Sequence, residues 1–599
     1  MKQRALYLLK TFLLTVVIFI IAKIAFMACN YCEHHFTASD IFDVIVHGLT
    51  LDLSTSLYFL ILPFLVVLIS IYWYKGNTLT NILNAYHLVI AVALALTFVA
   101  DTSLYRFWQF KLDASCLQYL DTPTEAMASV STGYLLVRLA VIIILAILFY
   151  LGYALPHLHF CPSRHRITES FAALLCIPLI IIGIRGGLDE STTNIGQVYY
   201  SQKQFLNHSA VNPIFSFLSS FEKTASNIID YDFYAENQWQ EMTSGLYPTS
   251  SVGTDTLLHT TRPNVIIILM ESAGEVVAEY MPRLQQLKRE GISFDNCYAN
   301  SWRTDRGTVC TYSGYPSFPT SSVMKMPNKT RLLPGLAASL QKEGYDTYYL
   351  YGGDINFTNM RSYLIAGGFQ TLKWKKDYPA DEQKTSKWGV QDGITFNTLL
   401  QMATTAKRPY LIGFSTLSSH EPWDVPIRKY DDEVANAFYY LDQCIGEFID
   451  NLKQTPQWQH TLIVLLPDHS IDYQDVHQDS ILRNHIPMVW IGGAVKAPRR
   501  ISTICNQTDM AATLLAQMQL PHDTFRWSRD VLSHSYQYPF AMHTYRNGFC
   551  VVDSTGLMVY DFDSNRIVTD NSTDSHRLER MGKAILQATT NDLKSIGTE

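Results

Sequence analysis

Apolar residues crowd the first third of the chain into stretches at about residues 5–29, 54–74, 82–100, 134–155 and 171–184, separated by short polar loops. A bilayer core takes roughly 20 apolar residues per helix, so the pattern predicts about five transmembrane helices, the last the shortest. From residue 262 the pattern changes to short β-prone runs, at 265–270, 347–350, 410–414, 462–466 and 488–491, alternating with helical stretches. That alternation predicts an α/β sheet covered by helices. The runs FAMHTY, GFCVV and GLMVYDF, from residue 540 onward, read as antiparallel strands completing the same domain. Residues 186–261, rich in Ser, Asn, Tyr and Phe, read as a connector lying along the membrane surface, so the expected division is 1–185, 186–261 and 262–599.

Charge refines this picture. The net charge of −7 and the lack of any basic tract argue against a nucleic-acid partner. Lys2, Arg4, Lys75, Arg164 and Arg166 fall on one side of the expected spans and Glu33, Asp40 and Asp43 on the other. The positive-inside rule then puts the N-terminus in the cytoplasm, and an odd number of spans delivers everything after Gly186 to the far side. His47, Asp52 and Ser54 stand at the expected entry to the second span, either as a functional group in lipid or as an interfacial loop. Of the ten cysteines, Cys29 and Cys32 form a lone CNYC at the end of an apolar stretch, read as structural because no second pair completes a zinc site. The rest give no disulfide framework, and one disulfide stays open among Cys297, Cys310, Cys444, Cys505 and Cys550.

Ligands of an open α/β sheet gather beyond the carboxyl ends of its strands. Glu271 directly follows NVIIILM, and Asp468 with His469 follows TLIVLLP, so three ligand-type side chains are expected at one sheet edge. Carboxylates with an imidazole suit a divalent cation. The segment ANSWRTDRGTVCTYSGYP, residues 299–316, adds the Thr304 hydroxyl, flanked by Arg303 and Arg306, before Gly307 and a helix-like stretch whose start suits an anionic phosphoryl group. The two arginines either neutralise a transferring group or pair structurally with Asp305. Asp354 in YGGDINFTNM either bonds a head group or forms a turn.

In this order, Glu271, the Thr304 segment and the Asp468–His469 pair resemble the lipoteichoic acid synthase and phosphoglycerol transferase branch of the alkaline phosphatase superfamily, and five spans ahead of a sulfatase-like domain resemble it too. The resemblance implies an α-helical membrane domain plus an α/β alkaline phosphatase/sulfatase-like domain with a central mixed sheet between helices. It implies one divalent cation, Mn²⁺, Mg²⁺ or Zn²⁺, held by Glu271, Thr304, Asp468 and His469, with Thr304 also the nucleophile. His420 in STLSSHEPW is similar to the family's active-site histidine. His485 in RNHIPMVW is similar to a histidine of phosphoethanolamine transferases and would serve a second metal or the substrate. The family also implies a multi-pass protein of the bacterial cytoplasmic (inner) membrane with an extracytoplasmic catalytic domain. Its partners would be a phospholipid donor and an envelope glycan or lipid acceptor.

The chain departs from the family where lipoteichoic acid synthases hold glycerol phosphate with a His and later a Trp and an Arg. There it has Tyr351, Thr358 and Met360. No Cys/Ser-x-Pro/Ala-x-Arg pattern of sulfate-ester hydrolases surrounds Thr304. The expected activity is transfer of phosphoglycerol or phosphoethanolamine through a phospho-Thr intermediate. A hydrolase, or a silent envelope-assembly protein, is the alternative.

Overall fold

The computed structural model describes all residues except 1, 74–76, 109–110, 113–115, 117–131, 157–162, 164, 202, 225–227, 407–408, 475, 477–480, 547, 563 and 598–599. Two compact units result, Met1–Ser226 and Asn227–Glu599. Their boundary falls inside the stretch that the sequence reads as a connector.

The first unit is built on α1 (Lys2–Cys29), α2 (Ala38–Ile69), α3 (Thr78–Trp108), α4 (Thr132–Ala154) and α5 (Arg166–Arg185), all long and apolar enough to cross a membrane. Leu9, Leu13 and Ile21 of α1 and Leu139, Ile143 and Ile147 of α4 point outward, as a lipid solvent favours. Arg4 ties three helix ends together, its guanidinium meeting Glu169 at 3.1 Å and Ser70 Oγ at 3.0 Å. Lys75 and Arg164, two of the charges used to orient the spans, lie outside the described residues.

The second helix starts well before the apolar stretch at 54–74. Thr37 caps it, with a reciprocal capping box to Asp40, and polar positions within 38–53 are absorbed by packing. Asp52 is wholly buried, its carboxylate 2.6 Å from Lys23 Nζ and 2.9 Å from Asn212 Nδ2. Ser54 donates to the Ile184 carbonyl at 2.7 Å, and His47 stacks on Tyr200 at 4.2 Å. The three residues therefore belong to the body of a helix rather than to an interfacial loop. Gly48 permits this, since a Cβ there would come within 2.2 Å of Lys23 Nζ.

The second unit carries a mixed sheet with the order β4-β3-β5-β1-β6-β7-β2-β8. Its strands are β1 (Asn264–Met270), β2 (Ile292–Tyr298), β3 (Asp346–Tyr351), β4 (Thr371–Trp374), β5 (Tyr410–Ser415), β6 (Thr461–Pro467), β7 (His485–Ile491) and β8 (Arg499–Ile501), and β9 (Cys505–Asn506) adds to β2. The centre, β3-β5-β1-β6, is parallel, and β7 runs antiparallel to both β6 and β2. Every residue of β1, β5 and β6 is buried. Side chains alternate between faces: Val265, Ile267 and Leu269 enter one hydrophobic cluster, and Ile266, Ile268 and Met270 the other. Two covered faces explain why these strands read as unbroken apolar runs.

A second sheet, β10 (Phe540–Tyr545), β11 (Gly548–Asp553), β12 (Gly556–Asp561) and β13 (Arg566–Asp570), is antiparallel throughout. The five cysteines of this unit are buried free thiols. One buried pair stands out: Arg529 grips Asp509 through Nε at 2.9 Å and Nη2 at 2.6 Å, beneath the Phe540 ring.

Removing one member of a buried ion pair strands the other charge, whereas replacing both by apolar groups is close to neutral. Lys23→Met is expected to lower the stability of the detergent-solubilised protein by about 3–5 kcal/mol, and Lys23→Met with Asp52→Leu to recover most of it. Thermal unfolding of both variants checks this. A double variant no better than the single one would refute the account.

Candidate active site

The sheet register builds the site. Because β1 and β6 pair in parallel with Met270 opposite Pro467, the next residues, Glu271 and Asp468, leave adjacent strands at one edge. One carboxylate oxygen from each and a ring nitrogen of His469 all lie within 4.8 Å of one another. His469 Nε2 is 3.5 Å from both carboxylates. Its Nδ1 faces the Ser470 carbonyl at 2.9 Å, which fixes the proton on Nδ1 and leaves the Nε2 lone pair directed at the carboxylates. Thr304, the first residue of the helix Thr304–Ser313, brings its hydroxyl to 3.2 Å from Glu271 Oε2 and 3.4 Å from His469 Nε2.

Backbone and hydroxyl groups hold the two carboxylates in place. Asp468 Oδ1 accepts from Ser272 N at 3.0 Å and His469 N at 2.8 Å, and Ser272 Oγ donates to Glu271 Oε1 at 2.7 Å. Ser272 makes both contacts from a left-handed backbone (φ 59), a conformation that costs a non-glycine residue energy and collects at functional sites. On β5's exit, Thr416 Oγ1 accepts from Glu271 N at 2.9 Å and Ser419 Oγ donates to the Glu271 carbonyl at 2.7 Å. Asp392 secures that exit by accepting from Leu417 N and Ser418 N, and burial pushes its own carboxyl up to about 6. From the other side Gln507 Nε2 donates to the carbonyls of Asp468, at 2.7 Å, and Pro467, at 3.0 Å.

Gly307 lets the Thr304 helix approach. A Cβ there would lie 2.0 Å from the Asp468 carbonyl oxygen, a backbone atom that cannot move aside.

These residues fit a divalent cation. Asp468 Oδ2 is buried and has no hydrogen-bond partner, an expensive state unless something positive meets it. Burial, and then the Asp468 charge beside it, raise the Glu271 carboxyl well above the usual carboxylate range. A dication would reverse that pressure and keep both groups ionised. Carboxylate oxygens, a hydroxyl and one imidazole are donors that Mn²⁺, Mg²⁺ and Zn²⁺ accept.

The remaining expected residues are distributed unevenly. His420 follows β5 on the same edge. Its Nδ1 meets the Glu421 carbonyl at 2.8 Å and its ring packs edge-on against Trp388 at 4.8 Å. Arg303, exposed at the cap of the Thr304 helix, lies over the Trp302 ring.

Arg306 takes the structural of its two readings. Its guanidinium is spent on the carbonyls of Phe318 and Thr320, on Asp305 at 3.3 Å and on the Trp302 ring, which makes it a strut for the following loop. His485 begins β7 at the site's edge, but its ring turns toward β2, with Nε2 2.8 Å from the Asp295 carbonyl and the ring stacked on Tyr298. It therefore does not join the Glu271 cluster. Asp354 accepts from Asn356 N and Nδ2, both at 3.0 Å, in a turn. Tyr351 was not counted among the site residues, yet it ends β3 on this edge. Burial first and Glu271 next hold its phenol protonated, as a donor.

Residues 263–520 match the Sulfatase family. That segment is a sulfatase-family domain. The second unit's fold is of alkaline phosphatase type, as a structural comparison shows. A crystal structure of an alkaline phosphatase superfamily protein from Vibrio parahaemolyticus superposes with a TM-score of 0.53 and 25% identity, covering 61% of this chain and 98% of that one. Lipoteichoic acid synthase 2 of Bacillus subtilis (strain 168) is 25% identical over 229 residues, 34% of this chain and 35% of that protein. Phosphoglycerol transferase I of Xanthomonas axonopodis pv. citri (strain 306) is 24% identical over 308 residues, 45% of this chain and 43% of that protein. The chain thus spans less than half the length of either of these two relatives.

Ligand binding to the folded sulfatase-family domain stabilises it by RT ln(1 + [L]/Kd), about 2.7 kcal/mol at a hundred times Kd. Mn²⁺ added to chelator-treated protein is expected to raise the unfolding midpoint, and Asp468→Ala to erase that rise. An equal rise in the variant would place the ion elsewhere. Gly307→Ala is expected to destabilise the protein by about 1–3 kcal/mol and to weaken the Mn²⁺ response, read in the same melting assay, because the Thr304 helix must retreat from Asp468.

Proposed function

We propose that this multi-pass membrane protein is a metal-dependent transferase that moves a phosphoglycerol or phosphoethanolamine group from a phospholipid to an envelope glycan or lipid. The observation that carries the reading is the position of the Thr304 hydroxyl. It stands at a helix N-terminus, 3.2 Å from one buried carboxylate and 3.4 Å from the imidazole of a three-ligand cluster. The similarity to proteins named lipoteichoic acid synthase 2 and phosphoglycerol transferase I supports the same chemistry.

In the proposed cycle Thr304 Oγ attacks the phosphorus of the donor's phosphodiester and the bond to the lipid oxygen breaks. That oxygen takes a proton and leaves as diacylglycerol, with the head-group phosphate now on Thr304. An acceptor hydroxyl then attacks the same phosphorus, gives up its proton, and frees Thr304. A bound dication would lower the pKa of the Thr304 hydroxyl and offset the charge that gathers on the phosphoryl oxygens. Glu271, Asp468 and His469 would hold that ion, and the first turn of the Thr304 helix would add its backbone N–H groups to the anion. His420, whose Nδ1 faces a carbonyl and whose Nε2 is the ring's second nitrogen, is the proposed proton carrier. Arg303, exposed beside Thr304, is the proposed contact for the head group's charge. The catalytic domain would work on the extracytoplasmic side of a bacterial inner membrane, where donor and acceptor meet.

Thr304 also decides against a sulfate-ester hydrolase that depends on a formylglycine made from Cys or Ser. Incubated with Mn²⁺ and fluorescent phosphatidylglycerol or phosphatidylethanolamine, the purified protein is expected to release diacylglycerol from one of them. Thr304→Ala is expected to reduce that release to background, at least a thousandfold, while melting at the wild-type temperature. Release that persists in the variant would sink the nucleophile assignment. Release of free head-group phosphate without any acceptor requirement would recast the protein as a hydrolase.

A further inference from the structure

At the far end of the helix that begins with Thr304, the second unit holds a cavity of about 830 Å³ bordered by Tyr234, Trp239, Tyr247 and Trp527, with Asp592 and Arg526 among its polar groups. We infer that this groove binds a neutral oligosaccharide, at a docking site separate from the Glu271 cluster.

Three observations carry the inference. The first is the lining itself. Four half-buried aromatic side chains around one concavity offer flat faces for the C–H side of pyranose rings. Around them Asn591, Thr249 and the carboxylates supply acceptors and donors for sugar hydroxyls. Apolar plates interleaved with polar groups suit a ligand whose rings are greasy on their faces and hydroxylated at their rims, and a lipid tail would waste the polar half.

The second is rigidity. Asp592 is fixed by three donors, Tyr315 OH at 2.9 Å, Trp527 Nε1 at 3.0 Å and Arg526 Nη1 at 3.0 Å. Tyr247 stands edge-on to Trp527 at 5.0 Å and also packs on Phe540. Gln587, itself buried, accepts from Phe233 N and Tyr234 N and donates to the Tyr234 carbonyl, which pins the segment carrying Tyr234 against the helix Ser575–Ser595. A groove whose walls are already ordered loses little entropy when a flexible chain settles into it.

The third is charge. Asp232, Glu236 and Asp592 outnumber Arg526 in the lining, so a phosphorylated or uronic-acid chain would be repelled.

The groove is distinct from the catalytic edge. Tyr315, which bonds the floor at Asp592, follows the C-terminus of the Thr304–Ser313 helix, and ten helical residues span about 15 Å. Joined to the transfer reading, the groove favours a glycan over a lipid as the acceptor, held by a part of its chain remote from the reacting hydroxyl. The binding inference itself does not depend on that reading.

The test is isothermal titration of the detergent-solubilised full chain with neutral pentasaccharides (cello-, laminari- and chito-oligomers) and, as the acidic counterpart, penta-galacturonate. At least one neutral chain is expected to bind, with a Kd at least tenfold weaker for Trp239→Ala and unchanged for Thr304→Ala. Trp239 borders the groove at its rim, and Trp239→Ala is expected to unfold at the wild-type temperature. Tyr234→Phe, which keeps the ring, is expected to bind within threefold of wild type, so loss in Trp239→Ala can be told from misfolding. No binding by any neutral chain, equal binding by Trp239→Ala, or binding of the acidic chain alone would overturn the inference. A binding result with no phosphotransfer would leave the groove standing and remove the transfer reading.

Discussion

Two carboxylates that repel one another are held side by side by the register of two parallel strands. β1 and β6 are buried on both faces and matched residue for residue up to Met270 and Pro467, so Glu271 and Asp468 have no freedom to separate. What surrounds them follows from that constraint. Ser272 adopts a left-handed backbone to bond both, Gln507 clamps the carbonyl behind Asp468, and Gly307 gives up a side chain so that a helix can deliver Thr304. The site resembles a spring held compressed by the sheet, with a cation as the natural counterforce.

The structure spreads its polar burdens between two solvents by different means. In the apolar helical unit Lys23 and Asp52 neutralise one another and Asn212 takes the remaining carboxylate oxygen. In the second unit Arg529 and Asp509 do the same with bidentate geometry under aromatic rings. Both are closed sets, each charge matched within the protein. The Glu271–Asp468 pair is open, which is the physical difference between a structural ion pair and a site that awaits a ligand.

Much of this was legible in the sequence, and the failures share a cause. The strands at the sheet's centre announce themselves because both faces are buried, and the residue after each run falls on the functional edge. β2 and β4 were missed: ISFDNCY and TLKW are only partly buried and carry mixed polarity. The early start of α2 was hidden because Asp52 looks prohibitive in an apolar helix until Lys23, 29 residues away, is placed beside it. Side-chain direction is set by neighbours the sequence does not reveal: His485 turns toward β2, and of its two readings Arg306 takes the structural one, on Asp305 and two loop carbonyls. Ser272, Thr416 and Ser419 left a faint trace as hydroxyls bordering two apolar runs. Gln507, 39 residues beyond the carbonyl it holds, left none.

The separation of the site's parts along the chain has a consequence for biosynthesis. Ser272 N and Asp468 Oδ1 are neighbours in space but 196 residues apart in order, with Gln507 later still. A ribosome adding about 5–20 residues per second needs on the order of ten seconds or more to supply the second carboxylate after the first. Throughout that interval Glu271 and Thr304 exist without the group that completes them. The cluster can therefore close only after most of the chain has been made, and a chain that stalls before Asp468 carries Glu271 and Thr304 without the carboxylate that would let them share a cation.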